Sequence, residues 1–226
     1  MAEITGLDGK PVRSWRDFVS TGAPVGAPSP ANAGDMVQRQ RPWVNLLPGG
    51  AYQEHWTTTG NWQTGDGALK LTPREGEKGW SRWSAYLWSK KDYQDFEIQF
   101  DYKVEERGNS GFYFRVGDKN SPVDTGIEVQ IYASHGKSDK KLNSFDSGGL
   151  IPGIAPKKNA ARPQGEWNHF HIINQSNKLT VRLNGEVVNE MDLTKAPLAS
   201  RPKKGPIGFQ DHSLPVWLKD IKIRDL

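Results

Sequence analysis

From about residue 55 the chain repeats one pattern: short stretches in which apolar and polar side chains alternate, each closed by glycine, proline or asparagine. The clearest is Phe96-Glu97-Ile98-Gln99-Phe100-Asp101-Tyr102, where the rings and Ile98 share one face and the polar groups take the other. A period of two belongs to a pleated strand with one buried side and leaves a helix no apolar stripe. Further strands are expected at 85–88, 112–116, 126–131, 168–173, 179–183, 207–210 and 217–223. Gly65-Asp66-Gly67, between Trp62-Gln63 and residues 68–71, predicts a hairpin, and Asn184-Gly185 ahead of Val187 predicts another. Both turns offer residues that tolerate positive φ. Residues 191–196 predict one helical turn. Many strands, no βα rhythm and no longer helical pattern predict an all-β fold of two packed antiparallel sheets. A closed barrel satisfies the same alternation.

The 226 residues are enough for one full core. A single β-sandwich domain is expected over 43–226, preceded by an N-terminal arm or extended loop over 1–42. Within that arm, Thr21-Gly22-Ala23-Pro24-Val25-Gly26-Ala27-Pro28-Ser29-Pro30 is too poor in apolar side chains to build a core of its own. No apolar run is long enough to span a membrane as a helix. With no cysteine, disulfides, thiol catalysis and zinc–thiolate sites are excluded. The net charge of +4 is spread along the chain, and basic groups such as Lys140-Lys141 and Lys203-Lys204 are short. That pattern argues against a nucleic-acid partner. The opening Met1-Ala2-Glu3-Ile4 lacks the basic and apolar stretches of a signal peptide. Oligomeric state is left open.

Nine tryptophans stand out, because an indole offers a flat apolar face and one donor, which suits the C–H face of a sugar ring. Alternation supplies the polar half of such a site. If Phe112, Phe114 and Val116 point inward, Tyr113 and Arg115 point out. By the same rule Glu128 and Gln130 point out between Ile127, Val129 and Ile131, and Gln210 points out beyond Phe209, with His212 following. His169 and His171 point out beside Phe170 and Ile172. Sets that share a sheet would form a wall of carboxylate, amide, guanidinium and imidazole groups suited to a polyhydroxylated ligand. The competing reading of each set is a solvated outer face.

Several pieces, in order, resemble the 3-keto-disaccharide hydrolase family from about residue 43 to the end. They are Asn61-Trp62-Gln63 with Gly65-Asp66-Gly67-Ala68-Leu69, Tyr93-Gln94-Asp95-Phe96-Glu97-Ile98, Gly108-Asn109-Ser110-Gly111-Phe112-Tyr113-Phe114-Arg115 and Gly126-Ile127-Glu128-Val129-Gln130-Ile131. Later pieces are Gly165-Glu166-Trp167-Asn168, Leu183-Asn184-Gly185, Ile207-Gly208-Phe209-Gln210-Asp211-His212 and the stretch from Trp217 to Ile223. The resemblance implies a concanavalin-like jelly-roll, a periplasmic or extracellular location in bacteria, and an oxidised glycoside as substrate. Members commonly carry an aspartate just after the Glu-x-Gln strand, where this chain reads Tyr132-Ala133-Ser134-His135. Sandwich enzymes that cleave β-glucans carry Glu-x-Asp-x-x-Glu on one strand. Positions 128, 130 and 133 are Glu, Gln and Ala, so the second carboxylate of a retaining pair is missing.

A 3-keto sugar needs fewer carboxylates. Its carbonyl acidifies the C2 proton, a base removes it, the enolate expels the C1 substituent, and water adds back to give net hydrolysis. The expected base is Glu128 or His212, with Arg115 or a divalent metal ion stabilising the enolate oxygen. Asn109, Tyr113, Gln130, Gln210, Trp83 and His135 are the expected substrate contacts. Glu128, His212 and Asp146 are the donors from which a metal site could be built, though no contiguous ligand motif joins them and no cofactor is required. The same wall would serve a non-catalytic carbohydrate-binding module or lectin. A structural interaction domain would instead expose a large apolar patch.

Overall fold

The computed structural model describes residues 41–226; the arm expected over 1–42 lies outside the described residues except for its last two. The described chain is an all-β sandwich of two antiparallel sheets. The larger sheet has eight strands: β3 (Trp62–Gly65), β4 (Ala68–Leu71), β6 (Phe96–Val104), β10 (Asn168–Gln175), β11 (Lys178–Leu183), β12 (Glu186–Asp192), β14 (Val216–Asp225) and the short β1 (Val44–Asn45). Their order is β12-β11-β10-β6-β14-β4-β3, with β1 also pairing β14. The smaller sheet runs β2-β5-β13-β7-β8-β9, from β2 (Trp56–Thr57), β5 (Leu87–Tyr93), β13 (Gly205–Phe209), β7 (Asn109–Phe114), β8 (Ile127–Tyr132) and β9 (Leu150–Ile151). One short helix, α1 (Pro122–Thr125), precedes β8.

The alternation along β6 sets the core. Phe96, Ile98, Phe100, Tyr102 and Val104 are all buried, while Gln99, Asp101 and Lys103 stay partly in solvent. Phe100 pairs with Phe170 in its own sheet and meets Phe209 and Phe112 of the other sheet, with ring centroids 5.0 and 5.4 Å apart. Each such buried ring contributes roughly 2–3 kcal/mol. Both predicted hairpins form: Asp66-Gly67 and Asn184-Gly185 are the turn pairs, all four at positive φ. That is the turn whose twist matches the strands.

Three boundaries differ from expectation. The strand predicted at 85–88 starts two residues later, after a 3₁₀ turn over Trp83–Ala85. The Ala85 carbonyl is taken by the Trp62 indole N–H at 3.0 Å and the Thr58 hydroxyl at 2.8 Å, which removes it from the strand ladder. Residues 191–196 form no helix; β12 runs through Asp192, whose carboxylate accepts from the Thr194 N–H and closes a turn. The third boundary is Arg115, which has φ 53 and ends β7. Val116 therefore does not follow Phe112 and Phe114 inward. It packs with Tyr86, Trp88 and Tyr113 in a second cluster, apart from the core between the sheets.

Candidate active site

The second cluster floors a site on the outer face of the smaller sheet. Strand register places Trp88, Gly208, Tyr113, Glu128 and Ile151 in one row across β5, β13, β7, β8 and β9. One step along, Gly111 pairs with Gln130, and the Gly111 carbonyl accepts the Gln210 N–H at 2.9 Å. Two glycines in these rows are required by close approach. A Cβ on Gly208 would lie 2.3 Å from the Trp88 ring, and one on Gly111 would lie 1.9 Å from Glu128 Oε1. The glycines let an indole and a carboxylate lie flat over the sheet.

A cavity of about 240 Å³ opens above these rows. Asn109, Tyr113, Glu128, Gln130, Gln210 and His212 line it, together with Val123 and Ile151. Trp80 and Phe145 complete the wall; they are 44% and 65% exposed, unlike nearly every other large apolar side chain described. A larger depression of about 410 Å³ lies by the β3–β4 hairpin, but its one carboxylate, Asp220, is exposed and nothing buried and polar faces it. Buried polar side chains line the smaller cavity.

Glu128 is its centre. The carboxylate is buried, Oε2 accepts the Tyr113 hydroxyl at 2.7 Å, and Oε1 has no hydrogen-bond partner. Burial pushes its pKa up to about 7, against the opposing pull of the Tyr113 hydrogen bond. Burial, and then the Glu128 charge, hold the Tyr113 phenol well above its ordinary value, so it remains a donor. Gln210 Nε2 reaches the same hydroxyl at 3.5 Å, and Gln130 Nε2 donates to Asn109 Oδ1 at 2.6 Å. Burial lowers the His212 pKa, so the ring favours its neutral form. Beside it Asp211 is fully buried and accepts from Arg82 at 3.2 Å and from the Ser213 N–H at 2.8 Å.

Six of the ten residues expected at the site meet in this cavity; four do not. Arg115, expected over an enolate oxygen, turns away because its positive φ reverses the alternation; it is 3.4 Å from Asn177 Oδ1, in the β10–β11 turn. Trp83 packs edge-on against Trp80 and Tyr86, and its carbonyl accepts the Trp88 indole N–H, so it supports the wall from behind. His135 sits in an exposed loop, with Nδ1 2.9 Å from the Ala161 carbonyl. Asp146 is held by Lys137 Nζ at 2.6 Å and the Asn143 N–H at 2.8 Å, and does not line the cavity. The metal set Glu128, His212 and Asp146 is therefore not assembled, and among the described residues no three His, Asp or Glu side chains are grouped to hold an ion. His169 and His171 belong to the larger sheet, against Asp101 at 2.7 Å and Glu97 at 2.5 Å. Trp80 and Phe145 went unpredicted. The available sign was an isolated aromatic in a polar, glycine-rich loop.

A β-sandwich with a recessed carboxylate, neutral amides and two exposed rings on one sheet face defines a carbohydrate-active class of protein. Residues 42–224 match the family described as the 3-keto-alpha-glucoside-1,2-lyase-like domain, and the chain belongs to that family. A 3-keto-disaccharide hydrolase of Bacteroides thetaiotaomicron is 25% identical over 203 residues, 73% of this chain and 70% of the relative. A candidate glycosyl hydrolase from Parabacteroides distasonis superposes with a TM-score of 0.69 at 26% identity, over 82% of this chain and all of its own. A Bacillus subtilis protein with a galectin-like fold superposes at 0.56 with 13% identity, over 80% of this chain and 94% of its own, which shows the shared sandwich.

Proposed function

We propose that this protein cleaves 3-keto-glycosides by taking the C2 proton and eliminating the C1 substituent, with water then adding to complete a net hydrolysis. The observation that carries this reading is Glu128, which lines the cavity with Oε1 buried and unpartnered, on a carboxyl whose pKa of about 7 suits a base at neutral pH. Family membership and the hydrolase relative support the substrate class. Tyr113 fixes the other oxygen of the carboxylate. The amides of Gln210, Gln130 and Asn109 offer donors for the oxygen at C3 and for neighbouring hydroxyls, in place of Arg115. His212 relays a proton to the departing oxygen, giving it up from one ring nitrogen as the other takes one from solvent. Trp80 and Phe145 hold the sugar faces. The C2 proton resides on Glu128 until water has added to C1 and the carbon takes a proton back.

A lectin-like reading uses the same wall, but gives no reason to keep a carboxylate partly desolvated with one oxygen empty. A periplasmic or extracellular location is part of the proposal, to be checked by fractionating the native host. The deciding assay compares a 3-keto-glucoside with its unoxidised parent. Turnover of the oxidised sugar alone is expected, with kcat falling about 10²–10⁴-fold in Glu128→Gln while the substrate still binds. Binding of both sugars without turnover would leave a binding module. Chelator is expected to leave turnover unchanged, because among the described residues no three His, Asp or Glu side chains are grouped to hold an ion.

A further inference from the structure

The outer face of the larger sheet, on the other side of the sandwich from the cavity, carries an ordered row of cations that the proposed reaction does not use. Register sets Lys70, Trp217 and Lys103 side by side across β4, β14 and β6, with Trp167 just before the start of β10. Lys70 Nζ and Lys103 Nζ each lie 4.7 Å from the Trp217 ring. Lys103 Nζ is also 5.2 Å from the Trp167 ring, and Lys219 Nζ is 4.5 Å from it. Three ammonium groups and two indoles thus alternate in one series of contacts, which runs from β4 to the start of β10 and turns back to Lys219 on β14.

Surface lysines ordinarily sweep through many rotamers, and fixing each one opposes binding. Here cation–π contacts hold three of them beforehand. An ammonium resting on a ring still has N–H donors for a second partner. The carboxylates nearby are already engaged: Asp101 faces Lys219 and His169, and Glu97 takes the Arg224 guanidinium at 2.6 Å. Lys222 and Arg182 extend the positive surface on β14 and β11.

We propose that this ladder is a second glycan site, which binds a linear acidic polysaccharide lying across the strands. Lys70 and Lys103 stand two strands apart, about 10 Å at the backbone. A two-fold β-1,4-linked uronan presents its same-side carboxylates at a spacing of that order, at every second sugar. A membrane surface fits worse, because the two indoles are half-buried beneath lysines and do not project. The ladder would hold the protein on an acidic matrix while the cavity works on small glycosides.

The test is affinity electrophoresis of the whole protein in gels cast with β-1,4-linked polymannuronate, with its fully esterified form as the uncharged match. Retardation by the acidic polymer alone is expected, weakening as salt rises, since these half-exposed charges are reached by counterions. Lys70→Gln/Lys103→Gln/Lys219→Gln should lose about tenfold or more in affinity, about 1.4 kcal/mol, with its far-UV circular dichroism and its turnover unchanged. Trp217→Leu keeps every charge but frees two lysines, and should lose affinity by a smaller factor. Equal retardation by the esterified polymer, or a triple variant that binds like the wild type, would overturn the proposal. Equally tight, lysine-dependent binding to phosphatidylglycerol vesicles would also overturn it, in favour of an anionic lipid surface.

Discussion

Gly111 and Glu128 form one unit, since the carboxylate lies where any side chain at 111 would stand. Gly111→Ala is expected to displace Glu128 and lower kcat by about tenfold or more, although alanine suits a strand better than glycine. The raised Glu128 pKa fixes two signs. As a base it must be ionised, so kcat/KM should rise with pH and level off above about 7, and that limb should vanish in Glu128→Gln. For stability, a carboxyl whose folded pKa exceeds its unfolded value holds its proton more tightly when folded. The folded state therefore loses stability as pH rises from the ordinary carboxylate range through about 7. Glu128→Gln should remove that loss, gaining on the order of 1–3 kcal/mol over the wild type at pH ~8 and much less at pH ~5. Chemical denaturation at the two pH values checks it; equal differences at both would refute the burial argument. Sequence alternation identified Glu128, Tyr113 and Gln130, which sit on strands where neighbours declare the inward face, and Gln210, which continues the alternation one residue past β13.

The strand-by-strand reading failed where the backbone leaves its repeat. One positive φ at Arg115 sends that guanidinium and Val116 to unexpected sides, and no local residue type announces it, since arginine there is neither Gly nor Asn. Loops hid the rest. Trp80 sits in a segment tied down by contacts distant in sequence: Tyr86 donates to its carbonyl at 2.8 Å, and Ser213 donates to the Gly79 carbonyl at 2.9 Å. His135 was expected at the site for following β8 and Asp146 as a metal donor, but loop geometry sets His135 against the Ala161 carbonyl and Asp146 against the Asn143 N–H. Two variants separate these elements. Arg115→Gln should leave kcat and KM within about threefold of wild type, because the side chain is outside the cavity. Trp80→Ala should raise KM well before it lowers kcat, since a stacking wall binds ground and transition states alike. A kcat collapse in Arg115→Gln, with the fold intact, would return that residue to the reaction.

At the scale of the molecule, the sandwich divides its work by face. The larger sheet and the inward side of the smaller one make the core, and the outer side of the smaller sheet carries the cavity. The division was legible only in part. Alternation says which residues share a face of one strand, but sheet membership depends on pairings far apart in sequence. That is why the His169 and Glu97 sets could not be told in advance from those of Glu128 and Gln210. The division makes a prediction about Phe100, which joins the sheets through Phe112 and Phe209 but lies on the opposite side of β7 and β13 from the cavity. Phe100→Ala should cost about 3–5 kcal/mol in urea unfolding by opening a void between the sheets. Below its lowered transition, KM and the pH midpoint of turnover should match the wild type, because the rows that position Glu128 are held by β7, β8 and β13 pairing with one another. A shifted pH midpoint in that variant would mean that the desolvation of Glu128 depends on packing between the sheets, and that core and site act as one unit.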